Sequence, residues 1–139
     1  MKTNLCREGR SMGGQKKPPL YRSFGYAFEG IFAVIKKERN MKIHCCMMAL
    51  VIAAGLFFQI SALEWCVCFV LFGLIMSLEL VNTAVESVVD LVTEKRHPLA
   101  KLAKDAAAGA VLIASIMAAA AGLIIFIPKG WQFLLGLLG

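Results

Sequence analysis

The chain reads as alternating polar and apolar blocks. Residues 1–20 are polar and basic, with Gly13-Gly14 and Pro18-Pro19, and predict a flexible basic tail. In YRSFGYAFEGIFAVIKKER at 21–39, Phe24, Phe28, Ile31 and Ile35 recur at helical spacing, flanked by Arg22, Lys36 and Lys37. That pattern predicts an amphipathic helix lying in a membrane interface. A helix packed on protein is the competing reading. Ile43 to Leu63 then holds no formal charge, only His44 and Gln59. Its length as a helix is about 31 Å, one hydrocarbon thickness. A second apolar run starts at Trp65, meets Glu79 and stays helical in pattern through Leu91. A third runs from Ala106 to Pro128, where Pro128-Lys129-Gly130 predicts its end. The closing WQFLLGLLG is too short to span again and predicts an interfacial end. The expectation is an all-α membrane protein: one membrane domain over 21–139, with spans near 43–63, 65–91 and 106–128.

Composition agrees with that picture. Of 139 residues, 59% are hydrophobic and 17% charged, and a soluble domain carries less of the first and more of the second. The length leaves no room for a separate soluble catalytic domain beside three spans. Charge is uneven: residues 1–44 hold ten Lys/Arg and three Glu, and the rest holds five basic and six acidic groups. A basic block beside apolar spans points to anionic headgroups. No nucleic-acid-binding module is present, so nucleic acid is not an expected partner. The five Cys do not form a disulfide or metal pattern and read as small apolar fillers. No cleaved signal peptide is expected.

Loop charges set an expected orientation. The connection near Ser61 to Glu64 has no Lys or Arg. The one between the second and third spans has Lys95, Arg96, Lys101 and Lys104. The positive-inside rule then places the N-terminus and this second loop in the cytoplasm and the C-terminus outside.

The chemistry concentrates in the second span. Glu79, Asn82, Glu86 and Asp90 are spaced three, four and four apart and share one helical arc of about 80°. Acid inside a membrane is costly unless it meets a cation, water or a donor. Bland readings stay open for each residue: a solvated Asp90, Glu86 paired with Lys104, Asn82 as helix–helix glue, a buried hydrogen-bonding Glu79. Four on one face favour a site. Glu38, about a turn before the first span, places another carboxylate at the level of Glu86. Two carboxylates with room for water and phosphate suit Mg²⁺. The loop adds Lys95, Arg96, His97, Lys101, Lys104 and Asp105. Its cations suit a polyphosphate, and positive-inside topology explains them equally well. No Walker A sequence or kinase Gly-rich loop is present.

These residues also carry a resemblance. ELVNTAVESVVD at 79–90, AKD at 103–105, FGYAFEG at 24–30 and KERNMKIH at 37–44 resemble the small three-span prokaryotic lipid kinases, diacylglycerol kinase and undecaprenol kinase. The resemblance spans about residues 22–127. It implies ATP-dependent phosphorylation of a membrane lipid hydroxyl in the bacterial inner membrane. Glu79 matches the family's catalytic base, Asn82 an invariant amide, and Glu38 and Glu86 the glutamates holding Mg²⁺ on ATP. Asp90 matches the motif's closing acid. Lys104 and Asp105 match a nucleotide-site pair, and Tyr26 with Lys95, Arg96 and His97 other nucleotide contacts. The family's fold is a homotrimer of three-span subunits, each with an N-terminal surface helix, and its active sites are shared between subunits. The ERNMKIH stretch, with His44 where the proteobacterial enzymes have an acid, leans towards undecaprenol over diacylglycerol. The alternative class is a non-enzymatic oligomer with a cation or proton pathway lined by Glu79 and Glu86.

Overall fold

The computed structural model describes residues 19–138. The tail expected over 1–20 falls almost wholly outside them, as does Cys6. The described residues are all-helical: α1 (Leu20–Lys37), α2 (Arg39–Phe57), α3 (Ala62–Val92) and α4 (Pro98–Leu138). The last three are long and apolar enough to cross a membrane.

α1 buries none of its residues, and Phe24, Phe28 and Phe32 are exposed. Of its apolar stripe, Phe24 and Phe28 lie open, while Ile31 and Ile35 are half-buried. A single extended residue, Glu38, separates α1 from α2 (φ −87°, ψ 126°). Its N–H still bonds to the Val34 carbonyl at 2.8 Å, so α1 ends with that carbonyl satisfied, while its side chain makes no cap on α2.

α2 ends before the expected Leu63. Gln59 takes a positive φ of 50°. The Ile60 N–H bonds to the Gly55 carbonyl (3.1 Å) and the Gln59 N–H to that of Leu56 (3.4 Å). This is a Schellman ending, normally built with Gly at the left-handed position. It works with Gln59 here because Gly55 lets Ile60 and Trp65 close over the helix end. A Cβ on Gly55 would lie 2.7 Å from the Trp65 ring. α3 restarts at once on a capping box: the Glu64 N–H donates to Ser61 Oγ (3.3 Å), and the Ser61 N–H to Glu64 Oε2 (2.6 Å).

α3 and α4 form the main packing pair. α2 and α1 pack on α3 less extensively, and among the described residues the backbones of α2 and α4 do not approach each other. One face of α3 thus lies at the floor of a groove between α2 and α4. Ion pairs join α3 to α4 at both ends. Lys104 meets Asp90 at 2.6 Å, and Lys129 meets Glu64 at 3.3 Å. Twenty-six residues separate the two acids on α3, about 39 Å of helix, so the pairs bracket a hydrocarbon core. A small apolar cluster of Ile60, Cys68 and Ile125, with Phe58, Trp65, Phe72 and Phe126 against it, fills the end opposite the basic loop.

The expected stop at Pro128 is corrected. α4 continues through Pro128 to Leu138. Proline removes one helical hydrogen bond, but the segment beyond it is held by tertiary contacts. Lys129 pairs with Glu64, and the Phe133 ring packs edge-on against Phe57 at 5.3 Å and Phe58 at 6.2 Å. The closing segment is therefore a helical extension of the third span and not a separate piece.

Candidate active site

The acidic stripe runs along α3 from the interior outward. Glu79 is 2% exposed and Asn82 8%, Glu86 is half-buried, and Asp90 is exposed. The helical period places all four on the face turned into the groove, and the gradient follows their approach to the loop end.

The hydroxyls near Glu79 bond back to the preceding turn of their own helices. Buried Thr83 donates to the Glu79 carbonyl (3.0 Å), exposed Ser87 to that of Thr83 (2.8 Å), and half-buried Ser115 on α4 to that of Val111 (2.9 Å). The acids and amides are not so satisfied. The Asn82 amide nitrogen reaches Glu86 Oε1 at 3.4 Å, while Glu79 Oε2 and Asn82 Oδ1 are buried without a partner among the described residues. Leaving a buried acceptor unpaired costs about 1–3 kcal/mol. Their two residues help line a cavity of about 260 Å³ whose walls come from three helices: Asn40, Ile43 and His44 on α2, Glu79 and Asn82 on α3, and Ala108, Val111, Leu112 and Ser115 on α4.

Helix rise explains the meeting. Asp90 to Glu79 and Lys104 to Ser115 are both eleven residues, about 16 Å of axis. With Lys104 pinned to Asp90, Ser115 therefore reaches the level of Glu79. On α2, Glu38 to His44 is six residues. On α3, Glu86 to Glu79 is seven. Glu38 thus levels with Glu86, and His44 with Glu79. His44, Glu38 and Glu86 all lie within electrostatic reach of Glu79 in one chain. Glu38 is also 3.5 Å from the Lys37 ammonium. Among the described residues, no three His, Cys, Asp or Glu side chains converge as a metal cage.

A second, open pocket of about 660 Å³ lies at the loop end. Asp90, Lys95, Arg96, His97, Lys101, Lys104 and Asp105 contribute to its lining. The loop is shaped by Thr93, whose hydroxyl accepts from the Lys95 N–H (3.1 Å), and by His97, whose Nδ1 accepts from the Leu99 N–H (3.2 Å) at the start of α4. Lys104 pairs with Asp90 and not with Glu86, and Lys101 takes Asp105 one turn along α4. Both acids expected at a nucleotide site thus carry a lysine partner, and Lys95, Arg96 and His97 are exposed and free of ion pairs among the described residues. Tyr26 is 60% exposed on α1 and borders neither pocket. The structure does not bring it to the other candidates. Asn40 and Ser115 are not singled out by the sequence, and His44 is marked there only for acceptor preference. His44 and Asn40 are one turn apart on α2, a signal that identifies a shared face but not what that face meets.

Comparison with known proteins identifies the family. The sequence pattern of the family described as prokaryotic diacylglycerol kinase matches residues 25–126. An undecaprenol kinase from Bacillus subtilis is 46% identical over 110 residues, covering 79% of this chain and 89% of its own. A diacylglycerol kinase from Synechocystis is 42% identical over 120 residues, covering 86% of this chain and 69% of its own. A diacylglycerol kinase from Escherichia coli K12 is 28% identical over 99 residues, 71% of this chain and 81% of the relative.

The chain belongs to the prokaryotic diacylglycerol kinase family. It is a lipid kinase of the bacterial membrane, and the non-enzymatic alternative gives way to that membership.

Proposed function

We propose that the chain transfers the γ-phosphoryl group of ATP to the hydroxyl of a membrane lipid alcohol, undecaprenol ahead of diacylglycerol, with Glu79 as general base. The observation that carries this reading is the pair of buried oxygens without a partner among the described residues, Glu79 Oε2 and Asn82 Oδ1, on two side chains that line a cavity otherwise walled mostly by apolar residues. Two free acceptors call for a donor with an apolar remainder, and an alcohol is that ligand. Its O–H donates to Glu79. Its chain leaves between α2 and α4, past exposed Ile43 and Leu112, into lipid.

Glu79 takes the hydroxyl proton as the oxygen attacks phosphorus, and little other covalent work falls to the protein. Lys95, Arg96 and Lys104 attract the polyphosphate at the loop pocket. Lys104 leaves Asp90 to do so, and Asp90 and Asp105 keep the lysines oriented until the nucleotide arrives. Mg²⁺ fits the donor set: among the described residues no protein cage exists, but Glu38 and Glu86 offer two carboxylates near Glu79, as expected of an ion that keeps water and phosphate ligands. When bound, it neutralises charge on the ATP phosphates. The preference for undecaprenol is supported by the Bacillus subtilis relative and by the 37–44 stretch. A homotrimer with shared sites, and a cytoplasmic N-terminus with the C-terminus outside, complete the proposal. The basic loop supports the orientation, and the largely uncovered apolar faces of α2 and α4 leave room for partner subunits.

The test is direct. The protein in micelles, given Mg²⁺-ATP, is offered undecaprenol and diacylglycerol in parallel. Transfer to undecaprenol at the higher rate is expected, and transfer to neither sinks the reading. Glu86→Gln should weaken Mg²⁺-ATP binding, and a wild-type affinity in that variant would remove Glu86 from the metal site.

A further inference from the structure

A hydroxyl that surrenders its proton to Glu79 gathers negative charge on its oxygen. Stabilising that oxygen takes a hydrogen-bond donor already aimed at it. Four side chains in the cavity wall carry donors: Asn40, His44, Asn82 and Ser115. Two are committed. The Asn82 amide points to Glu86 and the Ser115 hydroxyl to the Val111 carbonyl. Of the other two, Asn40 is exposed and lies a turn nearer the loop end. His44 is half-buried, level with Glu79 by helix rise, and lines the same cavity as Glu79. No hydrogen bond engages its ring among the described residues. An imidazole always keeps at least one N–H to give.

We infer that His44 donates a hydrogen bond to the acceptor oxygen of the lipid alcohol, holding it so that its proton faces Glu79. This rests on the kinase reading above and adds a residue on α2 to a reaction otherwise assigned to α3 and the loop. The α2 wall then contributes two separate functions. Glu38, at its outer level, serves the nucleotide end, and His44, about 9 Å deeper along the helix, serves the lipid end.

The experiment compares His44→Leu and His44→Gln with wild type in micelles with undecaprenol and Mg²⁺-ATP. It measures kcat, the KM for each substrate and direct Mg²⁺-ATP binding. Removing an oxyanion donor costs about 100-fold in kcat, so His44→Leu should fall by about that factor. His44→Gln restores an N–H and should recover about tenfold of the loss. The KM for ATP and nucleotide binding should stay at wild-type values in both. A purely structural His44 would make Leu and Gln fall together, and that result overturns the inference. So does a His44→Leu enzyme with wild-type kcat, or one impaired only in its KM for ATP. Wild-type protein inactive on both lipid alcohols would overturn the kinase reading and this inference with it.

Discussion

Replacing Glu79 by Gln should lower activity and raise stability in the same molecule. The side chain is 2% exposed, lies in the bilayer-spanning part of α3, and has one oxygen with no partner among the described residues. It also feels the like charges of Glu38 and Glu86. An unsatisfied buried acceptor costs about 1–3 kcal/mol, and more when charged. Gln keeps the shape, removes the charge and supplies an N–H to a cavity whose other orphan is the Asn82 oxygen. Stability against unfolding in mixed micelles should rise by about 1–3 kcal/mol. Activity should fall by about 10²–10⁴-fold, the usual worth of a general base and about 3–5 kcal/mol in the barrier. The assay pairs phosphate transfer to the lipid with denaturant unfolding of the same preparation. The opposite signs are diagnostic, because a site held in a strained state for function gains stability when the function is removed. A Glu79→Gln protein that unfolds more easily than wild type would show that the carboxylate is structural. One that turns over normally would remove it from catalysis.

Three further outcomes follow from other parts of the fold. Gly55→Ala places a Cβ 2.7 Å from the Trp65 ring, which stacks on Phe69 and would have to shift. It should destabilise by about 1–3 kcal/mol in thermal unfolding. Lys104→Met should raise the KM for ATP while changing stability by less than about 1 kcal/mol, since its pair with Asp90 is largely solvent-exposed. Lys129→Met, tested by unfolding, should likewise cost only about 1 kcal/mol or less, because the packing of Phe133 on Phe57 and Phe58 still holds the end of α4.

Local pattern alone determined much of this protein. Helical periodicity located the surface helix, three spans and the arc of Glu79, Asn82, Glu86 and Asp90, because a side chain's face on a helix follows from its position in the chain. The start of α3 was equally legible in principle, since Ser61 and Glu64 stand at capping-box spacing. What only the tertiary structure decided is where separate helices meet. Lys104 had two acids one turn apart to choose from. The antiparallel register of α3 and α4 gave it Asp90. Pro128 carried a genuine stop signal, overruled by contacts of Lys129 and Phe133 with residues some sixty-five to seventy-six positions earlier. Gln59 ended α2 in a conformation that favours Gly, because Trp65 and Ile60 close on Gly55. The cavity wall of Asn40, His44 and Ser115 belongs to the same kind of fact. Each side chain is unremarkable on its own helix, and they surround Glu79 only once three helices are set at matching depths. Periodicity fixes direction around one axis, while packing between axes sets which groups share a depth and a cavity. The acidic groups were therefore readable from the chain, and the surroundings that make them a site were not.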